Sequence, residues 1–212
     1  MRILSLTYNP FSENTILLIG EKKSCFIIDP GMMDMSENSD LFKLISDEGI
    51  IPKRLLLTHC HIDHVLGIKA VHEEYGLSPE CHKEGVLLLE ATPQIAQMYG
   101  IPYFPGPEPA KFLDTGVTID LDGEQLEIRY VPGHAPGHIV FIHHASKMVV
   151  AGDTLFRGSI GRTDLPGGDH DLFIRKLKEE LLSLPDDYTV WPGHGPTTNI
   201  GYERKNNPFL KD

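Results

Sequence analysis

Four times in this chain a short apolar run ends in a loop that carries histidine or aspartate. Residues 54–57 lead into Thr58-His59-Cys60-His61-Ile62-Asp63-His64, and Tyr130-Val131 leads into Pro132-Gly133-His134. Val149 to Ala151 leads into Gly152-Asp153, and Val190-Trp191 into Pro192-Gly193-His194. Polar residues at strand ends are how a rigid sheet aims side chains into one cleft. The pattern therefore demands an architecture in which four strand ends meet.

The text between those points alternates strands with helices. Arg2 to Thr7, Thr15 to Ile19 and Cys25 to Ile28 are rich in Ile, Leu and Phe, are separated by turn formers such as Asn9-Pro10, and read as antiparallel strands. Leu41, Phe42, Leu44 and Ile45 share one helical face ahead of a stop at Gly49. Helical spacing returns over residues 67–75 and 84–98, with a short extended piece at 79–82. Five prolines from Pro93 to Pro109 predict an irregular, ordered surface loop. Strands restart on either side of the hairpin signal Asp122-Gly123 and continue at 139–143 and 148–151. An amphipathic helix over 171–184, opened by Asp169 and Asp171, precedes a last strand at 188–191. Two such units packed sheet on sheet with helices outside predict a four-layer αββα sandwich of the α/β class, one domain over residues 1–212.

Composition narrows the partners. No apolar run approaches the roughly 18 residues of a membrane span. Thirty acidic against nineteen basic residues give a net charge of −11, which argues against the basic face of a nucleic-acid binder. Three cysteines at wide spacing, with no Cys-x-x-Cys, read as reduced thiols. With no targeting pattern in the first twenty residues, a cytoplasmic location is expected. Nothing in the text specifies an oligomeric state.

The eleven histidines are the compositional oddity. His72, His82, His143, His144 and His170 read as solvated side chains. His59 and His61 sit two apart, so an extended backbone sends both imidazoles to one side, where they can share an ion. Asp63 and His64 follow at a turn, where the changed chain direction lets them face a neighbouring ion. With His134, Asp153 and His194 the set exceeds the three or four ligands of one zinc site. Two divalent ions roughly 3.5–4 Å apart would account for it. Zinc is the first expectation, and iron or manganese suit the same ligands. Cys60 alternates to the opposite side and reads as a small buried filler.

Thr58 to His64, taken with His134, Asp153 and His194, resembles the metallo-β-lactamase superfamily across essentially the whole chain. The resemblance implies the same αββα sandwich. It also implies that His59, His61 and His134 hold one metal, that Asp63, His64 and His194 hold the other, and that Asp153 bridges them. His138, four residues after His134, would support the ligands rather than join them.

Gly152 to Phe156, the following Gly158 to Gly168, and the ending Glu203-Arg204 with Asn207 to Leu210 are similar to the glyoxalase II branch, in its short bacterial form. That branch hydrolyses S-D-lactoylglutathione and related thioesters. The resemblance implies a metal-dependent thioester hydrolase in which hydroxide is the nucleophile and Asp63 orients it. A small-molecule thioester is then the partner. Long members carry a C-terminal helical domain that supplies much of the glutathione contact, whereas eighteen residues follow His194 here. They also carry Lys where Arg162 stands. Arg162 is accordingly the first candidate to grip a substrate carboxylate, with an ion pair to Asp164 as the alternative. Arg204, beside Lys205, is the second candidate. Persulfide dioxygenases of the same superfamily are similar around Gly161 to Asp164 and Glu203-Arg204. They imply a different reaction at one iron held by His59, His134 and Asp153. The text Asp164-Leu165-Pro166-Gly167-Gly168 departs from their pattern.

Overall fold

Apolar residues that adjoin in the sequence point into different cores. A computed structural model describes residues 1–211. Its first half runs β1 (Arg2–Tyr8), β2 (Glu13–Ile19), β3 (Ser24–Ile28), α1 (Met35–Glu48), β4 (Ile51–Leu56), α2 (Ile68–Tyr75), β5 (Pro79–Cys81), α3 (Val86–Tyr99) and β6 (Lys111–Phe112). Its second half runs β7 (Thr118–Leu121), β8 (Glu124–Tyr130), β9 (Ile139–His143), β10 (Met148–Gly152), β11 (Leu155–Phe156), β12 (Ser159–Ile160), α4 (His170–Lys176), β13 (Thr189–Pro192), β14 (Thr198–Asn199) and α5 (Ile200–Asn206). One sheet has the order β1-β2-β3-β4-β5-β6 and the other β14-β13-β10-β9-β8-β7.

The period of two along each strand divides its side chains between layers. On β2 and β3, Leu17, Ile19, Cys25 and Ile27 face the core beneath the helices, with Leu41, Ile45 and Val71. Ile16, Leu18, Phe26 and Ile28 face the other way and meet Ile128, Ile139, Phe141 and Val150 of the second sheet. Beyond that sheet, Val149, Ala151 and Val190 pack against Phe173, Leu177 and Leu181. These are the four layers of the αββα sandwich that the sequence pattern predicts.

Local signals place the helices. Asp34 caps α1 by accepting from the N–H of Ser36 (2.8 Å) and Glu37 (3.0 Å), and Gly49 ends it with φ at 61°. Asp169 caps α4 in the same manner. Two expectations need correction. Pro93 lies inside α3 rather than in a loop; burial of Thr92 and Ala96 on that helix outweighs the lost backbone bond. The helix expected over 171–184 instead passes after α4 into one wide turn, Leu177–Leu181, closed by a bond from Leu182 N–H to the Leu177 carbonyl (3.0 Å). Among the described residues no helix is long and apolar enough to cross a membrane.

Candidate metal centre

Strands β3 and β4 are parallel, as are β10 and β13, while β8 runs with β10 because each is antiparallel to β9. The loops that follow β4, β8, β10 and β13 therefore open at one edge, as the sequence pattern requires. Backbone bonds stitch that edge, two of them between the sheets and one within the second sheet. Ile139 N–H donates to the Thr58 carbonyl (2.8 Å), Asn14 N–H to Gly193 (2.7 Å) and Gly193 N–H to Gly152 (2.8 Å). Gly193 and Gly161 allow the backbone to pass close to Asp153. A Cβ on Gly193 would lie 2.3 Å from Asp153 Oδ1, and one on Gly161 2.0 Å from the Asp153 carbonyl oxygen.

The seven expected residues converge there. His59 Nε2 is 3.1 Å from His61 Nδ1 and 3.3 Å from His134 Nε2. His64 Nε2 is 3.6 Å from Asp63 Oδ2 and 3.4 Å from Asp153 Oδ1. His194 Nε2 is 3.1 Å from Asp63 Oδ2 and 3.5 Å from Asp153 Oδ2. Asp153 Oδ2 is also 3.7 Å from His134 Nε2, so this carboxylate stands between two groups: His59, His61 and His134 on one side, and Asp63, His64 and His194 on the other.

The backing atoms decide which nitrogen faces inward. His134 Nδ1 donates to the Arg162 carbonyl (2.7 Å) and His194 Nδ1 to the Phe11 carbonyl (3.0 Å). His64 Nδ1 donates to Asp29 Oδ2 (3.1 Å). The Thr58 hydroxyl donates to the same Asp29 oxygen, which leaves its lone pairs to accept from His59 Nδ1 (3.1 Å). With Nδ1 occupied on four rings, four Nε2 atoms face into the cleft, those of His59 and His134 toward each other and those of His64 and His194 toward Asp63 and Asp153. Such a convergence is repulsive unless protons or cations separate it. Buried His64 Nε2 and Asp153 Oδ1 have no hydrogen-bond partner, and a cation bound between them would satisfy both. The donor set thus fits divalent ions, with nitrogen and carboxylate ligands in numbers that zinc, iron and manganese accept.

Electrostatics divide the two groups. Burial, reinforced by neighbouring imidazoles, holds His59 well below the usual histidine range and His61 down at about 3, and burial also lowers His134. Burial works in the same direction on His64, but the carboxylates of Asp63 and Asp153 overcome it and raise that ring well above its usual range. His194 is likewise raised, to about 10, against its burial, through bonds to Asp153 and Asp63. Burial opposes ionisation of Asp63 and Asp153, yet the neighbouring imidazoles lower both.

Two supporting residues, Asp29 and Glu13, were missed in the sequence, whereas His138 and Cys60 take the supporting and filling places expected of them. Asp29 accepts from Thr58 N–H (2.7 Å), from the Thr58 hydroxyl and from His64, with its own φ at 52°. Its signal was a carboxylate directly after an apolar strand, the same signal that marked Asp153. Glu13 is fully buried 3.8 Å from His64 Nδ1, and burial raises its carboxyl. His138 accepts from Asp153 N–H (3.1 Å) and stacks on His59 at 4.6 Å, so it orients two members of the cluster. Cys60 is buried in the helix-side core.

The arginines part company. Arg162 makes a two-pronged ion pair with Asp164 (2.7 and 2.8 Å) at the rim of the cluster, where its carbonyl holds His134. Arg204 pairs with Asp186 and donates to the carbonyls of Leu182 and Leu184, at the end of β13 remote from His194. The fold does not bring it to the cleft. Neighbouring Glu203 is the informative residue of that ending. It is buried and accepts from Gly158 N–H (3.0 Å), the Asn207 amide (2.8 Å) and the Thr198 hydroxyl, tying α5 to the loop between β11 and β12. His82 and His143 also depart from expectation, being buried rather than solvated. His82 stacks on Tyr130, and His143 bonds Glu124 and Ser146.

This fold and this cleft define a class. The chain belongs to the metallo-beta-lactamase superfamily, whose pattern matches residues 8–194. It is 38% identical to hydroxyacylglutathione hydrolase GloC of Haemophilus influenzae over 212 residues, spanning 99% of this chain and 98% of that protein. Among solved structures, TTHA1623 in a di-iron-bound form superposes with a TM-score of 0.87 at 38% identity, over 98% of this chain and 100% of the other. The B3 metallo-beta-lactamase BLEG-1 superposes with a TM-score of 0.91 at 30% identity, over the whole of both chains.

Proposed function

We propose that this chain is a metal-dependent thioester hydrolase of the hydroxyacylglutathione hydrolase type. The observation that carries the reading is the pair of ligand groups joined by Asp153 at a cleft open to solvent on the His194 side. Likeness to GloC over the full length of both chains supports the substrate class. His59, His61 and His134 would hold one divalent ion and Asp63, His64 and His194 the other, with Asp153 shared. Ions there would supply Lewis acidity for a thioester carbonyl and a water acidified toward neutral pH.

The protein's own groups do the rest. Asp63, held ionised by His64 and His194, orients the attacking water by accepting a hydrogen bond. His138 and Asp29 keep the ligand-bearing loops in register, so the site is preorganised before substrate arrives. The departing thiolate, with a free-thiol pKa near 8.5, needs no protein acid. Arg162, whose partner Asp164 is exposed, exchanges that ion pair for a carboxylate on the thiol arm of a small-molecule substrate, because surface pairs are worth only about 0–1 kcal/mol.

Metal analysis of protein purified without added metal, with S-D-lactoylglutathione turnover and persulfide-dependent oxygen uptake on the same sample, tests this. About two ions per chain and thioester turnover are expected. One iron per chain with oxygen uptake and no thioester turnover would overturn the proposal in favour of a persulfide dioxygenase using His59, His134 and Asp153.

A further inference from the structure

His194 keeps 26% of its side chain in solvent, and aromatic rings gather on that side of the cleft. Phe156, three residues after Asp153, meets the His194 imidazole nearly edge-on with ring centroids 6.1 Å apart. Phe11, in the turn between β1 and β2, accepts from His194 through its carbonyl, and its ring meets Tyr99 edge to face at 5.9 Å. Tyr99 ends α3, whose residue Ala96 is packed on Ile62 and Leu66 of the ligand-bearing loop. The helix is thus packed against that loop, and its last ring is presented to solvent.

The rim has two chemical ends. Around His194 it is aromatic, with Phe11 and Tyr99 exposed by 38% and 55%. Behind His134 it is cationic, at Arg162. Adjoining aromatic rings left in water beside a reactive centre lose area burial and edge-to-face partners that a ligand ring would restore.

We propose, resting on the thioesterase reading, that Phe11, Tyr99 and Phe156 form an acyl pocket that selects 2-hydroxyacyl thioesters with an aryl or bulky alkyl side chain, while the charged thiol arm lies toward Arg162. A thioester has two arms, and only one end of this rim can meet an anionic one. The acyl side chain is left for the aromatic end, where a lactoyl methyl would leave most of the ring surface uncovered.

The test uses metal-loaded protein and two esters of one thiol, S-mandeloylglutathione and S-lactoylglutathione. The mandeloyl ester is expected to be favoured in kcat/KM by about threefold to tenfold. Phe11→Ala and Tyr99→Ala should each remove that ratio through KM, Tyr99→Phe should retain it, and Met98→Ala, at an exposed neighbouring position, should leave it unchanged. Calorimetry with the non-hydrolysable thioethers S-(2-hydroxy-2-phenylethyl)glutathione and S-(2-hydroxypropyl)glutathione should show the same ratio in Kd. A preference for the lactoyl ester and the smaller thioether, or a ratio that survives both alanine variants, overturns the pocket. If neither ester is hydrolysed, the thioesterase reading alone falls, and the two Kd values still decide the pocket.

Discussion

His59, His61 and His134 form one half of the centre and Asp63, His64 and His194 the other, within the same cleft but under opposite electrostatics. The first half is three imidazoles that burial keeps neutral, backed by a hydroxyl at His59 and a peptide carbonyl at His134. The second mixes a carboxylate with two imidazoles raised into the protonated range, and His64 is backed by the carboxylate of Asp29. A cation entering the first half meets lone pairs already free. One entering the second must displace protons. Two sites built from similar residues therefore differ in how readily they fill, because the charges around them differ.

Asp153 sets a carboxylate within 4 Å of nitrogens from both halves, so replacing it should have the largest effect. Asp153→Ala is expected to lower thioester turnover on the order of a thousandfold and to reduce bound metal to one ion or less, read by plasma mass spectrometry. Retention of two ions would show that the halves are independent.

The next effect falls behind both halves, since Asp29 holds His64 directly and His59 through the Thr58 hydroxyl. Asp29→Ala removes a buried carboxylate that accepts from Thr58 and His64, and forces alanine to a φ of 52°. Urea unfolding of the metal-free protein should show a loss of about 2–4 kcal/mol. An unchanged midpoint would mean that His64 needs no such backing.

Metal uptake against pH sharpens the contrast directly. Below pH 10 the His194 ring is protonated in the metal-free protein, so binding at the second half releases its proton and affinity rises about tenfold per pH unit for each proton displaced. At the first half, where His61 titrates at about 3, affinity should be flat from about pH 5 to pH 9. Chelator competition across pH separates the two, and equal slopes would erase the distinction. The same shift links pH to folding. Because the folded His194 pKa lies above the unfolded value of about 6.5, its contribution to metal-free stability is full below that value and is lost as pH rises toward 10.

The smallest effect is expected far from both halves. Arg204→Ala removes a half-exposed ion pair with Asp186 and should cost about 1 kcal/mol or less, with kcat/KM within about twofold of the parent. A large rise in KM would place Arg204 in substrate binding after all.

Reading the site from text succeeded where chemistry and local geometry coincide. His59 and His61 are two apart on an extended backbone, and His134, Asp153 and His194 each follow an apolar strand closely. Those relations survive whatever the rest of the chain does. Reading failed where a side chain's partner is distant in sequence. His143 resembles a surface histidine until Glu124 and Ser146 are placed against it, and Pro93 breaks a helical pattern on paper that core packing restores. Arg204, a candidate because the C-terminal segment could bring it to the site, instead meets Asp186 and the carbonyls of Leu182 and Leu184, which adjoin it only in the fold.

By itself the sequence determined the alternation of strands and helices and the seven residues of the centre, since period and residue type are local properties of the chain. The tertiary structure alone decided which nitrogen of each histidine faces inward, why Asp29 matters, and which rings line the way in. Each of those depends on atoms brought together from distant parts of the chain, as when Thr58 meets Asp29, His194 meets Phe11 and His134 meets Arg162. Hydrogen bonds and local fields act over a few ångströms of space, whatever the distance along the sequence.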